Sequence, residues 1–82
     1  MNYELRFKPK AVKDLAGLPA REQGRLLQRI EEMSVDLKGD VRRLTDCTPE
    51  FRLRVGDYRV LFELEDEQII IYRIRHRRES YR

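Results

Sequence analysis

The stretch FRLRVGDYRVLFELEDEQIIIYRIR, Phe51 to Arg75, decides how this chain folds. Its apolar residues recur with a period of two, the spacing of strands that bury one face. Gly56-Asp57 interrupts the first alternation, and glycine at the first position of a two-residue turn suits a type II′ hairpin. Such a turn sets the register: Val55 faces Tyr58, Leu53 faces Val60, and Phe51 faces Phe62. These six form the buried face. The opposite face holds Arg52, Arg54 and Arg59, with Arg54 directly across from Arg59. Like charges in that position destabilise a strand pair by about 0.2–1 kcal/mol, so either the side chains splay into water or an anion sits between them.

The next strand, IIIYRIR, comes after the acidic turn around EDEQ. A two-residue turn at Asp66-Glu67 puts Arg73 and Arg75 into the core, which is prohibitively costly. A three-residue turn, Asp66 to Gln68, instead pairs Leu64 with Ile70, Phe62 with Tyr72 and Val60 with Ile74. Every core position is then apolar, and this is the register expected. Arg73 and Arg75 join Arg52, Arg54 and Arg59 in a platform of arginines facing away from the helices.

Upstream, NYELRF (residues 2–7) alternates Tyr3, Leu5 and Phe7 against Asn2, Glu4 and Arg6, and reads as a strand. KPKAVKDLAGLP offers Pro9 in a first helical turn, Val12 and Leu15 three apart, and Gly17 as a stop. A second helix is predicted from about Pro19 to Leu37, with Leu26, Leu27, Ile30, Met33 and Leu37 on one stripe. KGDVRRLTDCTPE reads as the connection to the hairpin. The order is strand, helix, helix, then a three-strand meander (β-α-α-β-β-β). It predicts one α+β domain over residues 1–82, with both helices on one face of a mostly antiparallel sheet.

Eighty-two residues lie near the lower limit for a single unstapled core. The lone cysteine, Cys47, excludes an internal disulfide and fits a reducing cytoplasm, where it reads as an inert loop or packing residue. No apolar run reaches the length of a signal peptide or a membrane span. The net charge is only +3, but fourteen of the eighteen basic residues are arginine. Arginine presents a planar fork that matches phosphate oxygens in pairs. Five arginines on one sheet face therefore point to a polyphosphate partner, and to RNA in particular. DNA would call for a basic element to enter the major groove, and neither helix is basic along one face.

With GDYRVLFEL and the closing IRHRRESYR both in hand, the chain resembles the RelE/ParE toxin superfamily of type II toxin–antitoxin systems. The likeness covers nearly the whole chain. Each motif is weak alone, and the ordered set is more specific. RelE-like members cleave messenger RNA in the ribosomal A site by attack of a ribose 2′-hydroxyl on the adjacent phosphate. ParE-like members share the fold and poison DNA gyrase. On the RelE-like pattern, the resemblance implies that Arg59 grips the scissile phosphate. Arg77 stabilises developing charge or protonates the leaving group, and Tyr81 stacks on or orients the nucleotide. Arg52 and Arg54 stand where well-known relatives carry two lysines, Arg75 where many carry glycine, and Ser80 where an apolar residue is more usual. Arg73, Arg75 and Arg78 add to the RNA-binding surface. The resemblance further implies a RelB-like antitoxin bound in a hetero-oligomer.

The residues themselves support these roles unevenly. Preorganised arginines suit a dianionic phosphorane. A guanidinium makes a poor general base, because it gives up its proton only above about pH 12. His76 is the one side chain with an unperturbed pKa near neutrality, but alternation turns it toward the helices, opposite Tyr58. Tyr81 has an equal claim to the proton. With no cluster of His, Cys or carboxylates on the basic face, neither metal nor cofactor is expected. The expectation is a metal-independent, ribosome-dependent mRNA endonuclease. A gyrase-inhibiting toxin and a non-catalytic RNA-binding module are the alternatives.

Overall fold

The computed structural model describes residues 1–44 and 48–79. The elements run β1 (Glu4–Phe7), α1 (Pro9–Ala16), α2 (Ala20–Met33), β2 (Asp40–Arg43), β3 (Phe51–Val55), β4 (Tyr58–Glu65) and β5 (Gln68–His76). The architecture is α+β: two helices pack against one five-stranded sheet of order β1-β5-β4-β3-β2. β1 runs parallel to β5, and every other neighbouring pair is antiparallel.

Helix α1 begins with Pro9, whose missing N–H costs nothing in a first turn, and closes at Gly17. Its deeply buried residue is Ala11, with Leu15 beside the core, whereas Val12 is exposed. Helix α2 buries Leu26, Ile30 and Met33, one face at helical spacing. It ends at Met33 rather than Leu37 because the amino-terminal segment captures Val35 and Asp36. Asn2 bridges to Val35, and the Met1 carbonyl accepts the Asp36 N–H at 2.9 Å. The Met1 ammonium pairs with the Asp36 carboxylate. Asp36 and Leu37 turn left-handed, at φ 56° and 55°.

The strand β2 falls in the segment read as a connection. Its sequence, DVRR, offers only Val41 to the sheet, opposite Leu53, so no alternation announces it. A short, charged strand is a common way to blunt a sheet edge.

The β3–β4 register agrees with the expected pairing throughout, including Arg54 opposite Arg59. The β4–β5 register differs. The turn has two residues, Asp66 and Glu67, with Glu65 opposite Gln68 and Asp66 at φ 56°. Leu64 pairs with Ile69 and Phe62 with Ile71, in place of Ile70 and Tyr72; Val60 still faces Ile74. A bulge reconciles the turn with the core. Leu61 pairs with Arg73 and Phe62 with Ile71, so Tyr72 is the extra residue. Ile69, Ile71 and Ile74 thereby fill the core, while Arg73 and Arg75 stay out of it. Phe62 is fully buried and stacks on Phe51 with ring centroids 5.5 Å apart.

Candidate functional site

Three arginines stand in register across the sheet: Arg54 of β3 opposite Arg59 of β4, and Arg59 opposite Arg75 of β5. No hydrophobic gain comes from such a row, and its members repel one another. Beside it, at the β3–β4 hairpin, lies a cavity of about 110 Å³ lined by Arg54, Gly56, Asp57, Tyr58, Arg59 and Arg77. Gly56 sits at φ 58°, so the turn that places Arg54 against Arg59 relies on glycine. Arg77 is brought to the cavity by its backbone, whose N–H donates to the Asp57 carbonyl at 2.7 Å. Its guanidinium is 3.8 Å from the Asp57 carboxylate. Arg75 Nε is buried and has no hydrogen-bond partner among the described residues; the Glu79 carboxylate is 3.9 Å away.

Two members of the expected platform are committed elsewhere. Arg52 is buried, with 6% of its surface exposed. It donates to the Asp40 carbonyl at 3.0 Å and lies 3.5 Å from the Asp40 carboxylate. Burial, with Arg54 and Arg42 nearby, lowers its pKa against the opposing pull of Asp40. β2, unseen in the sequence, is what supplies that partner. Arg73 forks onto Asp14 of α1, with Nε donating at 2.8 Å and Nη2 at 3.2 Å. Those bonds raise its pKa. The exposed five-arginine platform is therefore a three-arginine row plus Arg77.

His76 lies on the helix side, opposite Tyr58, with the two rings edge-to-face at 5.2 Å. It lines a groove with Lys13, Asp14 and Leu18, and its Nδ1 accepts the Arg78 N–H at 3.2 Å. Arg78 is exposed. Tyr81, Ser80 and Cys47 lie outside the described residues.

Asp14 carries no motif, and its partner lies 59 residues away, so sequence reasoning passed over it. It also accepts the Ile74 N–H at 3.0 Å, tying α1 to the strand that carries Arg75. Burial pushes its carboxyl up, but hydrogen bonds from Arg73 and Ile74 and the charges of Arg73 and Arg75 outweigh this. The net pKa lies below the ordinary carboxylate value. A lowered acid pKa contributes stability above the unfolded value that is lost as pH falls through the folded one. Asp14→Asn is expected to cost about 1.5–3 kcal/mol at neutral pH, a typical range for charged hydrogen bonds. It should also flatten the loss of stability below about pH 4. Urea denaturation at a series of pH values measures both; a parallel acid limb in the variant contradicts the assignment.

Arg25 of α2 was likewise missed. Its guanidinium lies over the hairpin, where a methyl group at Gly56 would meet it at 2.9 Å.

Comparison with known proteins agrees with this architecture. Residues 5–81 match the family described as the ParE toxin of the type II toxin–antitoxin system parDE. The chain is 34% identical over 80 residues to Toxin RelE3 of Methanocaldococcus jannaschii, covering 92% of this chain and 91% of that protein. Among solved structures, the RelB–RelE antitoxin–toxin complex of Methanococcus jannaschii aligns with a TM-score of 0.77 at 32% identity. That match covers 93% of this chain and 94% of the other. The RelBE2 toxin–antitoxin complex of Mycobacterium tuberculosis aligns at 0.82 with 26% identity, covering 93% and 99%. With a toxin family matched over residues 5–81 and a RelE relative 34% identical along most of both chains, this chain belongs to the RelE/ParE superfamily of type II toxins.

Proposed function

We propose that this toxin is a metal-independent endoribonuclease that cuts messenger RNA in the ribosomal A site. The observation that carries the reading is the Arg54–Arg59–Arg75 row with Arg77 closing the adjacent cavity. In the proposed reaction the 2′-hydroxyl of one nucleotide attacks the neighbouring phosphorus and the 5′-oxygen of the next nucleotide leaves. A cyclic phosphate and a new 5′-hydroxyl result. Negative charge grows on the phosphoryl oxygens as the phosphorane forms, and fixed guanidinium groups stabilise it most at that point. Arg54, Arg59 and Arg77 fill this role, and the ribosome presents the message.

The direct test is single-turnover incubation of the purified toxin with ribosomes carrying a defined message and an empty A site. Cleavage at one position in the A-site codon is the expected result; intact message overturns the reading. The ParE family description favours a second reading, gyrase inhibition without RNA chemistry. Loss of DNA supercoiling by gyrase with message left intact would select it. RNA binding without cleavage would select a non-catalytic module.

The proton has two candidate carriers. His76 belongs to the helix side and its Nδ1 is already engaged, so Tyr81 is assigned the larger part in the reaction. Tyr81→Phe should therefore lower the cleavage rate more than His76→Gln, with both variants folded. The reverse ranking moves histidine into the catalytic set.

The neutralising partner is a RelB-like antitoxin with an acidic, amphipathic segment that folds on binding. Its affinity should fall steadily as salt rises from about 0.01 M to 0.15 M and the Debye length shrinks from about 30 to 8 Å. Titration calorimetry across that range checks this; constant affinity excludes electrostatic neutralisation.

A further inference from the structure

The bulge in β5 adds a residue that the pairing does not need. Without Tyr72, Phe62 would still face Ile71, Leu61 would still face Arg73, and each side chain would keep its face of the sheet. The residue inserted at this point is aromatic and half-buried. It lines a cleft of about 520 Å³ with Lys8, Pro9, Lys10, Pro49 and Arg73. The Lys8 ammonium lies 4.8 Å from the Tyr72 ring centroid, so a face of the ring is open to charge and lies outside the core. Arg73 is already held by Asp14 and serves as a wall. Lys8 and Lys10 are exposed, and among the described residues no carboxylate lines the cleft.

An aromatic platform between prolines, rimmed by cations, has the chemistry that single-stranded nucleic acid uses. Bases stack on the ring while neighbouring phosphates meet the cations. Tyr72 also precedes Arg75 by three residues on the same strand, roughly 10 Å. The arginine row and this cleft are thus within reach of one short RNA. We propose that the Tyr72 cleft is a second nucleotide subsite, stacking a base of the RNA whose phosphate lies at the arginines. A base on the ring takes the place of the cation–π contact, and the displaced Lys8 ammonium, with Lys10, meets the flanking phosphates. The stacked base then sets which phosphate reaches Arg59. The link to cleavage rests on the proposed nuclease function, but stacking itself does not.

The test is equilibrium binding of a short single-stranded RNA, 2′-O-methylated to prevent attack, measured by fluorescence anisotropy. The comparison ligand is the same oligomer with its bases removed and its phosphates kept. The toxin should bind the base-bearing oligomer about ten-fold more tightly, the scale of one aromatic stack. Tyr72→Ala and deletion of Tyr72 should each erase that difference and leave abasic binding unchanged. Tyr72→Phe should preserve it. Lys8→Gln combined with Lys10→Gln should weaken both ligands alike. Equal binding of the two oligomers by the parent toxin, or no binding, overturns the subsite without reference to any variant. So does a Tyr72→Ala variant that loses affinity for the antitoxin alone, which would make the cleft a protein-docking surface. Base-dependent binding through Tyr72 in a toxin that leaves ribosome-bound message intact would keep the subsite and overturn the nuclease reading.

Discussion

Replacing Arg59 or Arg77 with alanine is expected to slow cleavage of ribosome-bound message by about 10²–10³-fold while the protein remains folded. The size comes from the worth of one preorganised contact to a developing oxyanion, about 2.7–4 kcal/mol in the transition state. Arg59 has the central place, flanked by Arg54 and Arg75 on the two neighbouring strands, and Arg77 stands across the cavity beside the Asp57 turn. Neither belongs to the apolar core, so stability should stay within about 1 kcal/mol of the parent. Arg52 supplies the internal contrast. It is buried against Asp40, and its removal should show first as lost stability. Full-rate cleavage by soluble Arg59→Ala and Arg77→Ala proteins would remove the arginine cavity from the reaction.

Phe62→Ala should have the largest effect on stability, about 3–5 kcal/mol by loss of transfer energy and the cavity left behind. Phe62 is the largest fully buried side chain among the described residues. It stacks on Phe51, and its backbone pairs with Phe51 on one side and Ile71 on the other. Its strand is the middle of five, so collapse cannot fill the space without moving strands that carry the site. Domains of this size have roughly 5–15 kcal/mol in total, and the variant should unfold at a much lower urea concentration. A shift of less than about 1 kcal/mol would mean that the sheet repacks freely around position 62.

The parts of the fold readable from sequence are those set by local chemistry. Gly56-Asp57 fixes its own turn, and the turn fixes every β3–β4 pair by counting. The β4–β5 hairpin defeated the same counting because two devices keep arginines out of a core: a longer turn, or a shorter turn with a bulge. Alternation alone does not distinguish them, and the structure uses the bulge at Tyr72. β2 was illegible because DVRR has no apolar period, and it forms through backbone pairing with β3. The site divides in the same way. The Arg54–Arg59 pairing came directly from the turn, whereas the capture of Arg52 by Asp40 and of Arg73 by Asp14 depends on contacts distant in sequence.

The parallel pairing of β1 with β5 bears on how the molecule is made. Residues 4–7 leave the ribosome early but find their sheet partner only in residues 68–71. Until β5 emerges, α1 and α2 have no completed sheet on which to lay their apolar faces, and β1 has no neighbour. Contacts of such long sequence separation form late, because the intervening loop entropy is lost before any pairing compensates. Arg75 and Arg77 arrive in the same late segment, so a nascent chain holds Arg54 and Arg59 well before it holds a closed cavity. Synthesis order thus delays the proposed chemistry until the strand that completes the sheet has also completed the candidate site.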